Sequence, residues 1–321
     1  RYWAKYIDLA FIPLFIATFR ARSTREHALK ALGGALFASL VVSFFSPTGL
    51  IYGNPLVPPN SPAYPVGFKY SITQSLLIAF GSFLCIVYAR EIASRAWRLT
   101  LYVVSALAVF NVLAIVISRT GYLVLAGLLA YFFIVQFRWR GVVIAAMGGS
   151  LLFAAAFFAS TTFHERISTA ITEFTATQQS DDTNTSIGAR MAYWRSGVKI
   201  VGEHPLFGAG TGSFPAAYNE VNAGRHVDES ANPHNEYLLI AAQTGMIGLA
   251  ALLYLFYTQW RLAARLEPFY RDLARGLVIT FVIGCMFNSL LLDHTEGLFF
   301  AWMTGLCFAT LRPPEESGRT A

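Results

Sequence analysis

Four short stretches of this 321-residue chain carry side chains able to do chemistry in otherwise apolar surroundings. Ser118-Arg119-Thr120-Gly121 is a turn between two apolar runs, short enough to hold a guanidinium at or just below a membrane interface. An arginine there either snorkels to anchor a helix end or binds an anion. Arg190 opens the amphipathic stretch Gly188-Ala189-Arg190-Met191-Ala192-Tyr193-Trp194, where by itself it reads as a solvated surface charge. In Ala231-Asn232-Pro233-His234-Asn235-Glu236-Tyr237-Leu238, Asn232 suits an N-cap and Pro233 the first helical position. His234 is then expected in the first turn of a helix re-entering the membrane. The positive helix end there disfavours imidazolium, and a neutral imidazole can accept a proton. The same free N–H groups attract phosphate oxygens. Asp293-His294-Thr295-Glu296 is a polar turn whose carboxylate could orient a base or an arginine; a purely structural turn reads equally well.

Other signals carry less. Gly208-Ala209-Gly210-Thr211-Gly212 is glycine-rich, but no strand precedes it, so it is not a dinucleotide fingerprint. His164, His204, His226, His234 and His294 lack the helical i, i+4 spacing of a metal site, so neither metal nor cofactor is expected. Cys85, Cys285 and Cys307 sit inside apolar runs and read as buried thiols.

The elements that position these residues must cross a membrane. The chain is 55% hydrophobic and only 13% charged, with a mean hydropathy of +0.50. Soluble domains carry roughly 25% charged residues, so a soluble, disordered or nucleic-acid-binding protein is excluded. A spanning helix needs about 20 apolar residues. Nine stretches approach that: 2–19, 31–46, 71–89, 99–117, 120–137, 141–160, 236–260, 275–292 and 297–311, of which the first two and the last are short or interrupted and read as tilted, broken or interfacial. The expected fold class is therefore an all-α polytopic integral membrane protein, in one transmembrane domain over 1–321. The chain opens on Arg1 rather than Met, and further spans are expected ahead of it.

The connections alternate in charge. Segments 20–30, 90–98, 138–140, 261–275 and the tail after 311 hold 15 basic residues, against two, Lys69 and Arg119, in the opposite short loops. The positive-inside rule puts the basic set in the cytoplasm and the four reactive stretches outside. Segment 161–235 is then a large outer loop. Two amphipathic helices are expected in it, one on Phe163, Ile167, Ala170, Ile171 and Phe174, the other on Met191, Trp194, Val198 and Val201. Gln178 to Ser186 reads as a polar loop between them. The run from 233 to 260 would be about 42 Å as a straight helix, longer than a ~30 Å hydrocarbon core. It must project outward or break near Gly245 or Gly248.

Ser118-Arg119-Thr120-Gly121-Tyr122, then Ala189-Arg190 with Trp194 and Gly197, then His204-Pro205-Leu206-Phe207-Gly208-Ala209-Gly210 with Phe214, then His234-Asn235-Glu236-Tyr237-Leu238 with Gly245-Met246-Ile247-Gly248, resemble in order and spacing the O-antigen ligase and polymerase superfamily. A histidine at 234, an outer acidic turn and a short tail look most like the ligases. The resemblance implies a C-type glycosyltransferase-like fold in the bacterial inner membrane, with its active site facing the periplasm. It implies transfer of a finished O-antigen from undecaprenyl pyrophosphate to lipid A-core, without a metal. It makes Arg119, Arg190 and His234 essential and maps a further acid less securely to Asp293. Asn235, Tyr237 and His294 are expected beside the substrate, with Asp293 or His294 orienting His234 or an arginine.

Elementary chemistry agrees. Two guanidiniums can grip a pyrophosphate bidentately and stabilise the charge growing on it as it leaves. His234 would take a proton from the attacking hydroxyl, and a single displacement inverts the anomeric carbon. Apolar spans would flank the polyprenyl chain. The rival within the superfamily is a polymerase that uses a lipid-linked acceptor. From another class, a secondary transporter would place charges near the bilayer midplane; here they gather at one face.

Overall fold

Apolar segments in lipid must pair every backbone polar group internally, so helix is the local solution for each of these runs. The structure is a computed structural model that describes residues 5–45, 71–116, 118–180, 185–223 and 230–311, with helices and no strands among them. A short 3-10 turn, Ile7–Phe11, leads into α1 (Ile12–Thr18). Then come α2 (Arg22–Phe45), α3 (Ser71–Ala89), α4 (Arg95–Phe110, continued by a π turn at Asn111–Ile115), α5 (Arg119–Phe137) and α6 (Trp139–Ala159). The expected outer loop holds α7 (Thr161–Ser180), α8 (Ser186–Glu203) and α9 (Phe214–Val221), followed by α10 (Glu236–Ala263), α11 (Pro268–Cys285) and α12 (His294–Phe308).

Among the described residues six helices are long and apolar enough to cross a membrane: α2, α4 with its π turn, α3, α5, α6 and α10. Three of the nine expected spans fall short. Within the stretch 2–19, residues 7–18 form a 3-10 turn and a 7-residue helix, together too short for a ~30 Å core, and 2–4 lie outside the described residues. Pro13 lies in the first turn of α1, and buried Asp8 in the turn before it meets His294 Nδ1 at 2.8 Å. The stretch 275–292 is displaced: the helix runs over Pro268–Cys285, carries Arg271, Asp272 and Arg275 in its first two turns, and gives way to turns at 286–293. The stretch 297–311 becomes the 15-residue α12. The basic segment 20–30 is mostly helix rather than loop, since α2 begins at Arg22 and an Arg22–Glu26 pair at 2.8 Å braces its first turn.

The core lies among α3, α5, α10, α11 and α12, where Phe80, Phe83, Phe281 and Phe300 are almost wholly buried. Polar pairs lock α4 in place: Ser82 Oγ lies 2.8 Å from Ser105 Oγ, and Asn111 in the π turn donates to Ser43 Oγ at 3.0 Å. α6 buries only Gly141 and leaves Met147, Leu151 and Phe158 exposed.

The bundle has two chemically distinct ends. At one, buried Asp272 accepts from Arg90 and Arg271, each at 3.2 Å, and from the Tyr131 hydroxyl at 3.1 Å. At the other lie the starts of α3 and α5, the far end of α11 and the start of α10. α10 breaks at Gly245 (φ 69°, ψ −169°), one of the two expected positions. The segment 205–212 straps across this break. Ala209 N donates to Ala242 O at 2.8 Å, Gly210 N to Gln243 O at 3.1 Å and Met246 N to Pro205 O at 2.8 Å. Gly212 N donates to the Gln243 side chain. A Cβ at residue 245 would sit 2.0 Å from Leu206 O, so only glycine allows the strap to close. The glycine-rich run thus joins a broken helix and has nothing to do with a dinucleotide.

Candidate active site

Local capping sets where the reactive side chains begin. Ser118 Oγ accepts from Gly121 N at 3.3 Å, so α5 starts with Arg119 as its first residue. Thr185 Oγ1 accepts from Gly188 N at 3.0 Å, which starts α8 at Ser186 and puts Arg190 in its second turn. The expected loop 178–186 is shorter than read: Gln178 to Ser180 close α7, Thr185 and Ser186 open α8, and only 181–184 lie outside the described residues.

Three helix starts meet at one cavity of about 170 Å³. Ser71 and Ile72 come from α3, Ser118, Arg119 and Thr120 from α5, and Ser186 and Arg190 from α8; Arg166 of α7 completes the lining. Each helix start presents unpaired N–H groups and the positive end of a macrodipole. Arg119 Nη1 pairs with Glu173 at 3.2 Å, while its Nε is buried without a hydrogen-bond partner among the described residues. Burial holds the Arg190 guanidinium below its ordinary pKa. The Arg119 charge lowers it further, and Glu173 partly offsets both. Two mutually repelling cations kept in one half-buried pocket have the chemistry to hold an anion between them.

His234 sits on a loop just before α10. Asn235, not Asn232, is the N-cap, with its Oδ1 accepting from Leu238 N at 3.0 Å, and the helix begins at Glu236. Pro233 and His234 therefore precede the helix, and His234 has a left-handed backbone (φ 50°) in place of the first-turn position expected. The reason is a local turn: Asn232 Oδ1 accepts from His234 N at 2.8 Å and from Ser289 Oγ at 3.3 Å. Trp194 Nε1 holds Pro233 O at 3.0 Å.

Of the two expected partners of the His234 ring, His294 is engaged elsewhere. His294 Nδ1 meets Asp8 Oδ2 at 2.8 Å, and Asp293 is an exposed residue at the start of α12. His234 Nδ1 instead lies 3.3 Å from Asn288 Oδ1, and its ring is 6.1 Å from that of Tyr193. Asn235 and Tyr237 bind protein rather than open space: Asn235 Nδ2 donates to Met286 O at 3.1 Å and the Tyr237 hydroxyl to Val282 O at 2.9 Å.

Two connections put His234 and the arginines at the same end of the bundle. α3 and α5 run from the cavity toward Arg90 and Tyr131, while α11 runs from Asp272 to Met286 and Asn288 beside the histidine. Also, α8 carries Arg190, and at the next turn Tyr193 and Trp194, which touch His234 and Pro233. Arg119 and Arg190 thus line one cavity, and His234 stands at the same end of the bundle outside its lining. Sequence reasoning missed Arg166, Glu173 and Asn288. Arg166 carries a faint signal, lying one turn from Phe163 on a helix whose apolar stripe is legible; the other two carry none.

Residues 103–253 match the family described as O-antigen ligase. That match covers a little under half of the chain, which is similar to this family over that segment. An uncharacterized protein of Haemophilus influenzae is 21% identical over 260 residues, covering 78% of this chain. The chain spans 63% of that relative's length. Within the superfamily match lie Arg119, Arg166, Arg190 and His234; Asn288, Asp293 and His294 lie beyond it.

Proposed function

We propose that the chain is an O-antigen ligase of the bacterial inner membrane, moving an O-antigen from undecaprenyl pyrophosphate to lipid A-core on the periplasmic side. The observation that carries this reading is the cavity where three helix starts converge with Arg119, Arg166 and Arg190. Backbone N–H groups, helix dipoles and planar guanidiniums all suit the two phosphates of a lipid-linked donor.

His234 acts as the general base. With its Nδ1–H donating to Asn288 Oδ1, its Nε2 keeps a lone pair for the acceptor hydroxyl. The hydroxyl oxygen attacks the anomeric carbon as its proton passes to Nε2. The bond from that carbon to the pyrophosphate oxygen breaks, and the electron pair leaves on the pyrophosphate, where the arginines stabilise it. One displacement inverts the anomeric configuration. Asp293 stands by the exposed start of α12, where it can meet an acceptor sugar.

The test is transfer between purified lipid-linked glycan and lipid A-core. EDTA should leave the rate unchanged. His234→Asn keeps a residue that tolerates the left-handed backbone yet supplies no base. It should lower transfer at least about 100-fold with the donor still bound. Full activity of His234→Asn would overturn the assignment of the base. A deletion strain that accumulates single lipid-linked repeats rather than long lipid-linked polymer would favour a polymerase.

A further inference from the structure

The strap 205–212 belongs to the stretch expected outside the membrane, yet its contacts put it at the depth of a spanning helix. α8 runs alongside the first half of α10. Trp194 bonds Pro233, a Cβ on Gly197 would lie 3.7 Å from Leu238 Cβ, and Ile200 shares an apolar cluster with Leu239 and Ala242. Pro205 O then accepts from Met246 N at 2.8 Å. Each step along α8 thus meets α10 further from His234. Met246 lies about 21 Å along the helix from Trp260, at ~1.5 Å per residue. The Trp260 ring meets Tyr131 and Arg275 at the Asp272 end of the bundle. A ~30 Å hydrocarbon core measured from that end extends past Met246. The tip of the strap, Leu206-Phe207, therefore stands inside the leaflet at the cavity end.

What the tip exposes suits that depth. Leu206, Phe207, Met246 and Ile247 are 61%, 75%, 48% and 56% exposed. They adjoin one another, since Leu206 O packs on Gly245 and Pro205 O bonds Met246 N. A contiguous apolar patch on a surface marks an interaction site, and a water-soluble partner cannot reach one below the hydrocarbon boundary. The backbone of the strap is also prepared for lipid. Pro205 has no N–H to satisfy, Gly208 N donates to His204 O at 3.0 Å, and Ala209 N and Gly210 N donate to carbonyls of α10. Non-helical backbone is tolerated at membrane depth where protein supplies its hydrogen-bond partners. Exposed Lys199, Glu203 and His204 form a polar rim at the end of α8, just before the tip.

We propose that Leu206 and Phe207, together with Met246 and Ile247, insert among phospholipid acyl chains of the leaflet at the cavity end, which makes the strap a membrane-dipping loop that anchors α8. Arg190 lies in the second turn of α8, so an anchored far end fixes the height of that guanidinium relative to the lipid headgroups. The anchor serves whichever reaction the arginine cavity carries out.

The test places a bimane at residue 207 of the purified full chain in phosphatidylcholine liposomes. Phe207→Cys is made in a Cys85→Ala background, the other two thiols being buried. Its emission should fall by about half or more when the phospholipid carries an acyl-chain nitroxide, and stay nearly constant with iodide on both sides of the bilayer. A bimane at Glu220→Cys, exposed on α9 near the Ser196–Asn222 pair, should show the reverse. Monodisperse elution identifies the folded variants. Iodide quenching at residue 207 would overturn the proposal. Quenching by neither agent would mean that protein covers the tip, and would overturn it equally. The liposomes hold no lipid-linked glycan and no lipid A, so a seat reserved for a substrate lipid would also leave residue 207 unquenched by the nitroxide and end the proposal.

Discussion

Arg119 shows how a single side chain can be held ready for an anion. It is only about a quarter exposed, its Nη1 is paired with Glu173 at 3.2 Å, and its Nε has no partner among the described residues. Glu173 therefore occupies a guanidinium edge that a phosphate would need. A partly exposed pair of this kind is worth up to about 1 kcal/mol, or roughly fivefold in affinity. Glu173→Gln should accordingly tighten donor binding by up to about fivefold in a titration with undecaprenyl diphosphate. Weaker binding in that variant would mean that the carboxylate aims Arg119 rather than competing for it. His234 shows the opposite arrangement. Its strained backbone is held by Asn232, Ser289 and Trp194, so the ring position is fixed before substrate arrives.

At the level of elements, the broken helix α10 is the part on which the outer structure depends. The strap 205–212 pairs its backbone with Ala242, Gln243 and Met246, and Leu206 O comes within 2.0 Å of where a Cβ on residue 245 would stand. Gly245→Ala must either abandon φ 69° or push the strap away. It should cost about 2 kcal/mol or more, read as a lowered thermal midpoint in detergent. Gly34→Ala is the matched control. It lies within α2 with nothing within 4 Å of its Cβ, so stability should hold or rise by up to about 1 kcal/mol. The apolar stripe expected on α7 is only half used: Phe163 packs against Tyr122 and Phe153, while Ile171 and Phe174 are 63% and 50% exposed.

For the molecule as a whole, the two ends of the bundle make a prediction about sidedness. Arg25 meets Tyr270, Arg90 and Arg271 pair with Asp272, and Arg275 lies over the Trp260 ring, while the arginine cavity and His234 lie at the other end. The positive-inside rule puts the first end in the cytoplasm. The native thiols give little background, since Cys285 and Cys307 are buried and Cys85 is half-buried. In spheroplasts, Ser186→Cys should react with a membrane-impermeant thiol reagent, and Ser94→Cys should react only after the membrane is permeabilised. The reverse pattern would place the arginine cavity in the cytoplasm and end the case for a periplasmic ligase.

Charge and hydropathy along the chain were enough to establish helices that cross a membrane and a break in the long helix at Gly245 or Gly248, of which the structure uses Gly245. These follow from local rules: lipid demands internal hydrogen bonding, buried charge is costly, and only glycine tolerates that turn. That 2–19 and 297–311 are short was legible, but the shift of 275–292 to Pro268–Cys285 was not, because the polar residues that open that helix are buried by a distant partner, Asp272 against Arg90. The same holds for the partners of the site. Asn288 reaches His234 from 54 residues away, Glu173 reaches Arg119 from another 54, and Arg166 joins the cavity only because α7 folds back over α5. Such contacts leave no periodicity in the chain, and only the packing of α5, α7, α8, α10 and α11 against one another decides them.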